Sequence, residues 1–181
     1  MPERMIAELC SPTLSGVKCA NLFNCAFESK DKLIHDVMDM NQRLHGKGLH
    51  MMILSYPSKN RALIYIFRPC MLQKELNLPE TRSLMETLGY KDHRMGACLN
   101  VLCNRLSEGS EFPHEIGCFL GYPIEDVRGF MNQKPCIFHG VWKVYGNVDR
   151  AKELFDLYDS CTKKNLALYD EGVPIEKIAI A

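Results

Sequence analysis

The chain has 181 residues, 46% of them hydrophobic and 24% charged, the balance of an ordinary globular protein. Disordered, collagen-like and coiled-coil architectures are excluded on that ground. The 22 basic and 22 acidic side chains cancel, so a general electrostatic hold on nucleic acid or an anionic membrane is not expected.

Pro2 is placed to open a short first helix carrying Met5, Ile6 and Leu9 on one side. Ser11-Pro12-Thr13 reads as an N-cap followed by a proline at the first position of a second helix, limited by Gly16. Residues 21–27 have a strand pattern. Ser29 caps a helix over 30–44, with Leu33, Ile34, Val37, Met38 and Leu44 at helical spacing. Two apolar runs follow, 49–56 and 62–67, split by Pro57-Ser58-Lys59-Asn60, which predicts a β-hairpin. The second run is apolar throughout and belongs in the centre of a sheet.

The middle of the chain predicts helices over 71–76, 79–88 and 93–106, the last with a stripe of Met95, Cys98, Leu99, Leu102 and Leu106. Two short helices opened by prolines, 113–120 and 123–131, flank the turn Gly121-Tyr122. Residues 138–145 read as a last substantial strand. Asn147 caps the longest helix, with Ala151, Leu154, Phe155, Tyr158 and Cys161 on its buried face, and Gly172 ends it. Residues 175–180 are placed as an edge strand. Strands and helices do not alternate as βαβ units. The expected fold is therefore α+β: a small mixed or antiparallel sheet with a central β-hairpin, packed against several helices, in one domain over 1–181.

Nine cysteines are present, an odd number in a chain too long to need disulfide stapling. The opening residues lack the apolar core of a signal peptide, and no stretch approaches the roughly 18 apolar residues of a membrane span. The expectation is a cytoplasmic protein with free thiols.

Five stretches occur in a recognisable order: Cys10 to Lys18 with Ala20-Asn21-Leu22-Phe23; Asn60 to Pro69; Glu111 to Gly117; Phe119 to Pro123 with Glu125-Asp126-Val127; and Gly140 to Gly146. Together they resemble a family of anaerobic bacteria known as domain of unknown function 3793, over essentially the whole chain. The resemblance implies no activity and carries over no catalytic or binding residue. Cys19 and Cys118 stand where that pattern holds other residues, so a site resting on them would be peculiar to this chain.

Candidate chemistry starts with Cys10. A thiol just before a helix starting at Pro12 faces the positive end of the helix dipole, which favours the thiolate needed for nucleophilic, redox or metal-binding work. The alternative is a small buried apolar residue. His114 and Cys118, four apart on a predicted helix, share a face, and Cys136 and His139 are three apart. The two pairs supply two sulfurs and two nitrogens, a tetrahedral set for a transition metal such as zinc or iron. The alternative places Cys118 in the core and leaves His114 to a local hydrogen bond. In a first helical turn, His114 would hold its proton weakly and suit a general base or ligand. Arg61 and Arg68 flank the second hairpin strand as candidates for an anionic cofactor, with solvated strand ends as the alternative.

A helix-turn-helix reading of residues 111–134 is opposed by Glu111, Glu115, Glu125 and Asp126, which phosphate would repel. Trp142, the one tryptophan, is expected to anchor the core through the face it shares with Val144. Phosphate-loop, dinucleotide, zinc-protease, haem-attachment and nucleophile-elbow motifs are absent. The leading reading is an accessory protein that handles thiols or metals in anaerobic metabolism. The alternatives are a non-catalytic module for a protein partner, using ten methionines for adaptable apolar surface, and an enzyme of unrecognised class. All depend on whether Cys10, His114 and the Cys136–His139 pair converge.

Overall fold

A computed structural model describes residues 3–108 and 111–181; Pro2, expected to open the first helix, lies outside them. In chain order the elements are α1 (Glu3–Leu9), α2 (Ser11–Leu14), β1 (Ala20–Ala26), α3 (Lys30–Leu44), β2 (His50–Ser58), β3 (Arg61–Phe67), α4 (Pro69–Leu76), α5 (Pro79–Thr87), α6 (Met95–Glu108), α7 (Ile116–Phe119), α8 (Ile124–Met131), β4 (Phe138–His139), β5 (Lys143–Val144), α9 (Val148–Asp170) and α10 (Ile175–Ile178). The fold is α+β, and the expected hairpin is β2–β3.

The main sheet has the order β1-β3-β2, antiparallel throughout. Its middle strand explains the unbroken apolar run. Ala62, Ile64 and Ile66 join Ile6, Leu33, Val37 and Ile178 in one core cluster. Leu63, Tyr65 and Phe67, pointing the other way, join Leu72, Tyr90, Leu102 and Phe119 in a second. Helices therefore cover both faces, so β3 is apolar at every position after Arg61 although its neighbours are antiparallel.

Local rules account for much of the rest. Ser29 Oγ accepts from the Lys32 N–H (3.5 Å) and Asn147 Oδ1 from the Arg150 N–H (3.0 Å), fixing the starts of α3 and α9. On α3 the buried residues are Leu33, Val37, Met40 and Leu44, while Ile34 and Met38 face solvent. Asn41 reaches from α3 to the outer strand β2, donating to the Met51 carbonyl (2.8 Å) and accepting from its N–H (2.7 Å).

Four expectations are corrected. Cys10, not Ser11, is the residue that precedes α2. Residues 113–115 form a tight turn instead of the first turn of a helix, with N–H groups of Ile116, Gly117 and Cys118 each bonded three residues back. The strand over 138–145 is a pair of two-residue strands reversing at Gly140 and Val141. The Phe155 ring occupies the space where a Gly140 side chain would stand, and Asp126 draws the N–H groups of Tyr145 and Gly146 toward α8. The expected edge strand over 175–180 is instead the short helix α10 over Ile175–Ile178, because Pro174 starts a turn and Ile175 and Ile178 then fall on one buried face.

Candidate functional site

Lys18 and Cys19 connect α2 to β1. The Arg68 N–H donates to the Cys19 carbonyl (2.8 Å), extending the β1–β3 ladder by one bond and fixing the backbone beside Lys18. Glu75 comes from α4, Tyr122 from the turn between α7 and α8, and Arg150 and Tyr158 from one face of α9, eight residues apart. These groups line a cleft of about 580 Å³. Gly121 lets its walls close: its φ is +68°, and a Cβ there would stand 2.8 Å from Cys19 Sγ.

Lys18 is 4% exposed. Its Nζ stands 5.0 Å from the Tyr122 ring centroid and 5.6 Å from that of Tyr158. Among the described residues it has no hydrogen-bond acceptor and no ion-pair partner. No wholly buried side-chain nitrogen or oxygen among them is left unpaired. The ammonium therefore keeps a sliver of accessible surface, and Lys18 forms part of the cleft wall. Tyr122 stacks on Trp142 at 4.8 Å and 26°, and Trp142 meets the Phe155 ring edge-on at 4.5 Å. The indole N–H donates to Asp126 Oδ2 (2.7 Å).

Burial governs the titration of this site. It lowers Lys18 from 10.5 to about 8, with the nearby thiols of Cys19 and Cys10 opposing weakly. It pushes Cys19 up to about 12, with the Glu75 charge adding to the effect. Glu75 itself is raised by burial, partly offset by Arg150 at the mouth. The thiol is held protonated while the amine and the carboxyl are drawn toward their neutral forms.

The candidates read from the sequence come from several different elements. Cys10 is fully buried, and burial drives its thiol far above the ordinary range; Lys18 opposes only weakly. Desolvation outweighs a four-residue helix, so Cys10 is a core residue. His114 is exposed, packed edge-on against Phe130 at 4.8 Å and lining a separate hollow with Val141 and Lys143. Cys118 is buried in α7 and pushed up to about 12, chiefly by burial. Cys136 is half-buried before β4, and His139 is exposed on β4. Among the described residues no three His, Cys, Asp or Glu side chains are grouped to hold a metal.

Arg61 is exposed at the start of β3. Arg68 is buried and committed: Nε donates to Thr13 O (2.7 Å), Nη1 to Lys47 O (3.1 Å), and Nη2 to Leu14 O and Ile180 O (both 2.9 Å). It fastens four loop and helix-end carbonyls and presents no free fork to an anion.

Sequence reasoning missed Lys18, Glu75 and the role of Tyr122. One signal was present, a lysine directly before the buried run Cys19-Ala20, where a charge is out of place.

No helix among the described residues is long and apolar enough to cross a membrane. No curated protein and no solved structure matches the chain. A family model described as a protein of unknown function does match, across residues 6–179. With all but the ends of the chain covered, the protein belongs to the DUF3793 family.

Proposed function

We propose that the protein binds a small organic anion in the cleft between α4, the α7–α8 turn and α9, with the Lys18 ammonium as the group the anion neutralises. The observation that carries this reading is a 4% exposed ammonium without an anionic or hydrogen-bonding partner among the described residues, on the wall of a cleft of about 580 Å³. Burying an unpaired ammonium costs several kcal/mol. Two ring contacts return about 1–2 kcal/mol each. A carboxylate or phosphate entering the cleft supplies the missing partner, and the exposed Arg150 adds a second positive charge that offsets the Glu75, Glu80 and Glu125 carboxyls of the same lining.

This reading differs from thiol or metal handling. That reading needs convergent sulfur and imidazole groups, whereas this cleft is lined by an amine, a guanidinium, three carboxyls, two phenols and the single thiol of Cys19, without an imidazole. The cleft has the size and mixed lining of a small-molecule site.

Calorimetry and thermal melting with acetate, pyruvate, succinate and inorganic phosphate test the proposal. At least one should bind and raise the melting temperature by mass action, and Lys18→Met should weaken it tenfold or more. No binding by any of the four, or equal binding by Lys18→Met, overturns the reading.

A further inference from the structure

Resting on that cleft reading, we infer that Lys18 is a carbonyl-trapping amine, forming a reversible imine with an aldehyde or keto acid seated over Tyr122 and Tyr158. Most lysines that store charge in a protein interior are paired with a carboxylate, which ties up the ammonium. Lys18 has two aromatic faces and two protonated thiols near it among the described residues, and no carboxylate is paired with it. The cleft has room for a small ligand, and Leu154 lines it together with the two rings.

Desolvation of this kind is how a lysine becomes a nucleophile near neutral pH. With Lys18 at about 8, about a tenth of the amine is unprotonated at pH 7, against roughly one part in three thousand for an ordinary lysine. Glu75 lines the same cleft and is raised by burial, so it is the carboxyl assigned as proton donor.

The step balances without an outside reagent. The Nζ lone pair attacks the carbonyl carbon, the C=O π bond breaks, and a proton passes from nitrogen to oxygen to give a carbinolamine. Glu75 then protonates the hydroxyl, the C–O bond breaks, water leaves and the C=N bond forms. Loss of the remaining proton on nitrogen to the Glu75 carboxylate restores the donor. A keto acid satisfies both parts of the site, its carboxylate facing Arg150 and its carbonyl carbon facing Lys18.

The full-length protein is incubated with glyoxylate, pyruvate, 2-oxoglutarate or acetaldehyde, reduced with borohydride, digested and mapped by mass spectrometry, with calorimetry on the same probes. The expected result is a secondary-amine adduct on Lys18 formed at least tenfold faster than on any other lysine. Glu75→Gln should slow its formation several-fold. Lys18→Arg should bind the keto acids and form no adduct at that position. Binding without a reduced adduct at Lys18 overturns the imine and leaves the anion cleft standing. An adduct spread evenly over surface lysines also overturns the imine. Neither binding nor adduct with any probe overturns both. Because the mapping uses the parent protein, a variant that fails to fold does not rescue the inference.

Discussion

Lys18 and Arg68 are both buried cations, and they meet the cost of burial in opposite ways. Arg68 has an acceptor for each donating nitrogen. Replacing it with methionine would leave four carbonyls without that partner, and the expected loss is about 3–5 kcal/mol, read from the denaturant midpoint. Lys18 has no such compensation, so its effect depends on pH. Between about 8 and 10.5 the unfolded chain binds a proton at this lysine that the folded chain does not. Its contribution to stability therefore rises with pH through that window, and below it the charged form costs on the order of 3 kcal/mol. Lys18→Met should be more stable than the parent by about 2 kcal/mol at pH 7, with the gap closing by about pH 10.5. Urea denaturation of both proteins across that range checks it; a gap that does not change with pH contradicts the burial argument. The same desolvation decides between the two sequence readings of Cys10 in favour of a small buried apolar residue. A helix dipole is visible in the order of residues, whereas the core cluster that Cys10 joins includes Ile64, Ile175 and other positions far away in the chain.

Among elements, those specified by local signals were legible. The β2–β3 hairpin, α3 with its serine cap and α9 with its asparagine cap all follow from spacing and capping chemistry. The β4–β5 hairpin was not legible, because what shapes it lies elsewhere in the chain. Asp126 on α8 is buried and accepts from the Trp142 indole N–H (2.7 Å), the Tyr145 N–H (2.6 Å) and the Gly146 N–H (2.9 Å). A carboxylate with three donors in a buried setting is a strong local clamp. Asp126→Ala should cost about 2–4 kcal/mol and expose residues 136–146 to limited proteolysis, and Asp126→Asn should fall between it and the parent. Full stability in Asp126→Ala would show that α9 alone holds the hairpin.

At the scale of the molecule, the sheet is covered on both sides and the two ends of the described chain meet on one of them. Arg43 of α3 pairs with Glu3 of α1 (2.5 Å) and Glu176 of α10 (2.6 Å), while the Ile180 N–H donates to Leu14 O (3.1 Å). Ile175 and Ile178 belong to the same core cluster as β3. Removing residues 174–181 should therefore cost well over 3 kcal/mol through lost apolar burial, seen as a collapse of the cooperative melt. The general architecture could be read from apolar periodicity. The cleft could not, since Lys18, Glu75, Tyr122 and Tyr158 span 140 residues and share no spacing rule.

The lone indole also gives the molecule an optical gauge of its own occupancy. Trp142 lies face to face with Tyr122, and the Lys18 charge stands over that same phenol. An anion or an imine arriving at the nitrogen changes the electric field across the stacked pair. Emission from this single fluorophore should shift or dim in proportion to filling, so titrations can be followed by light without attaching a dye.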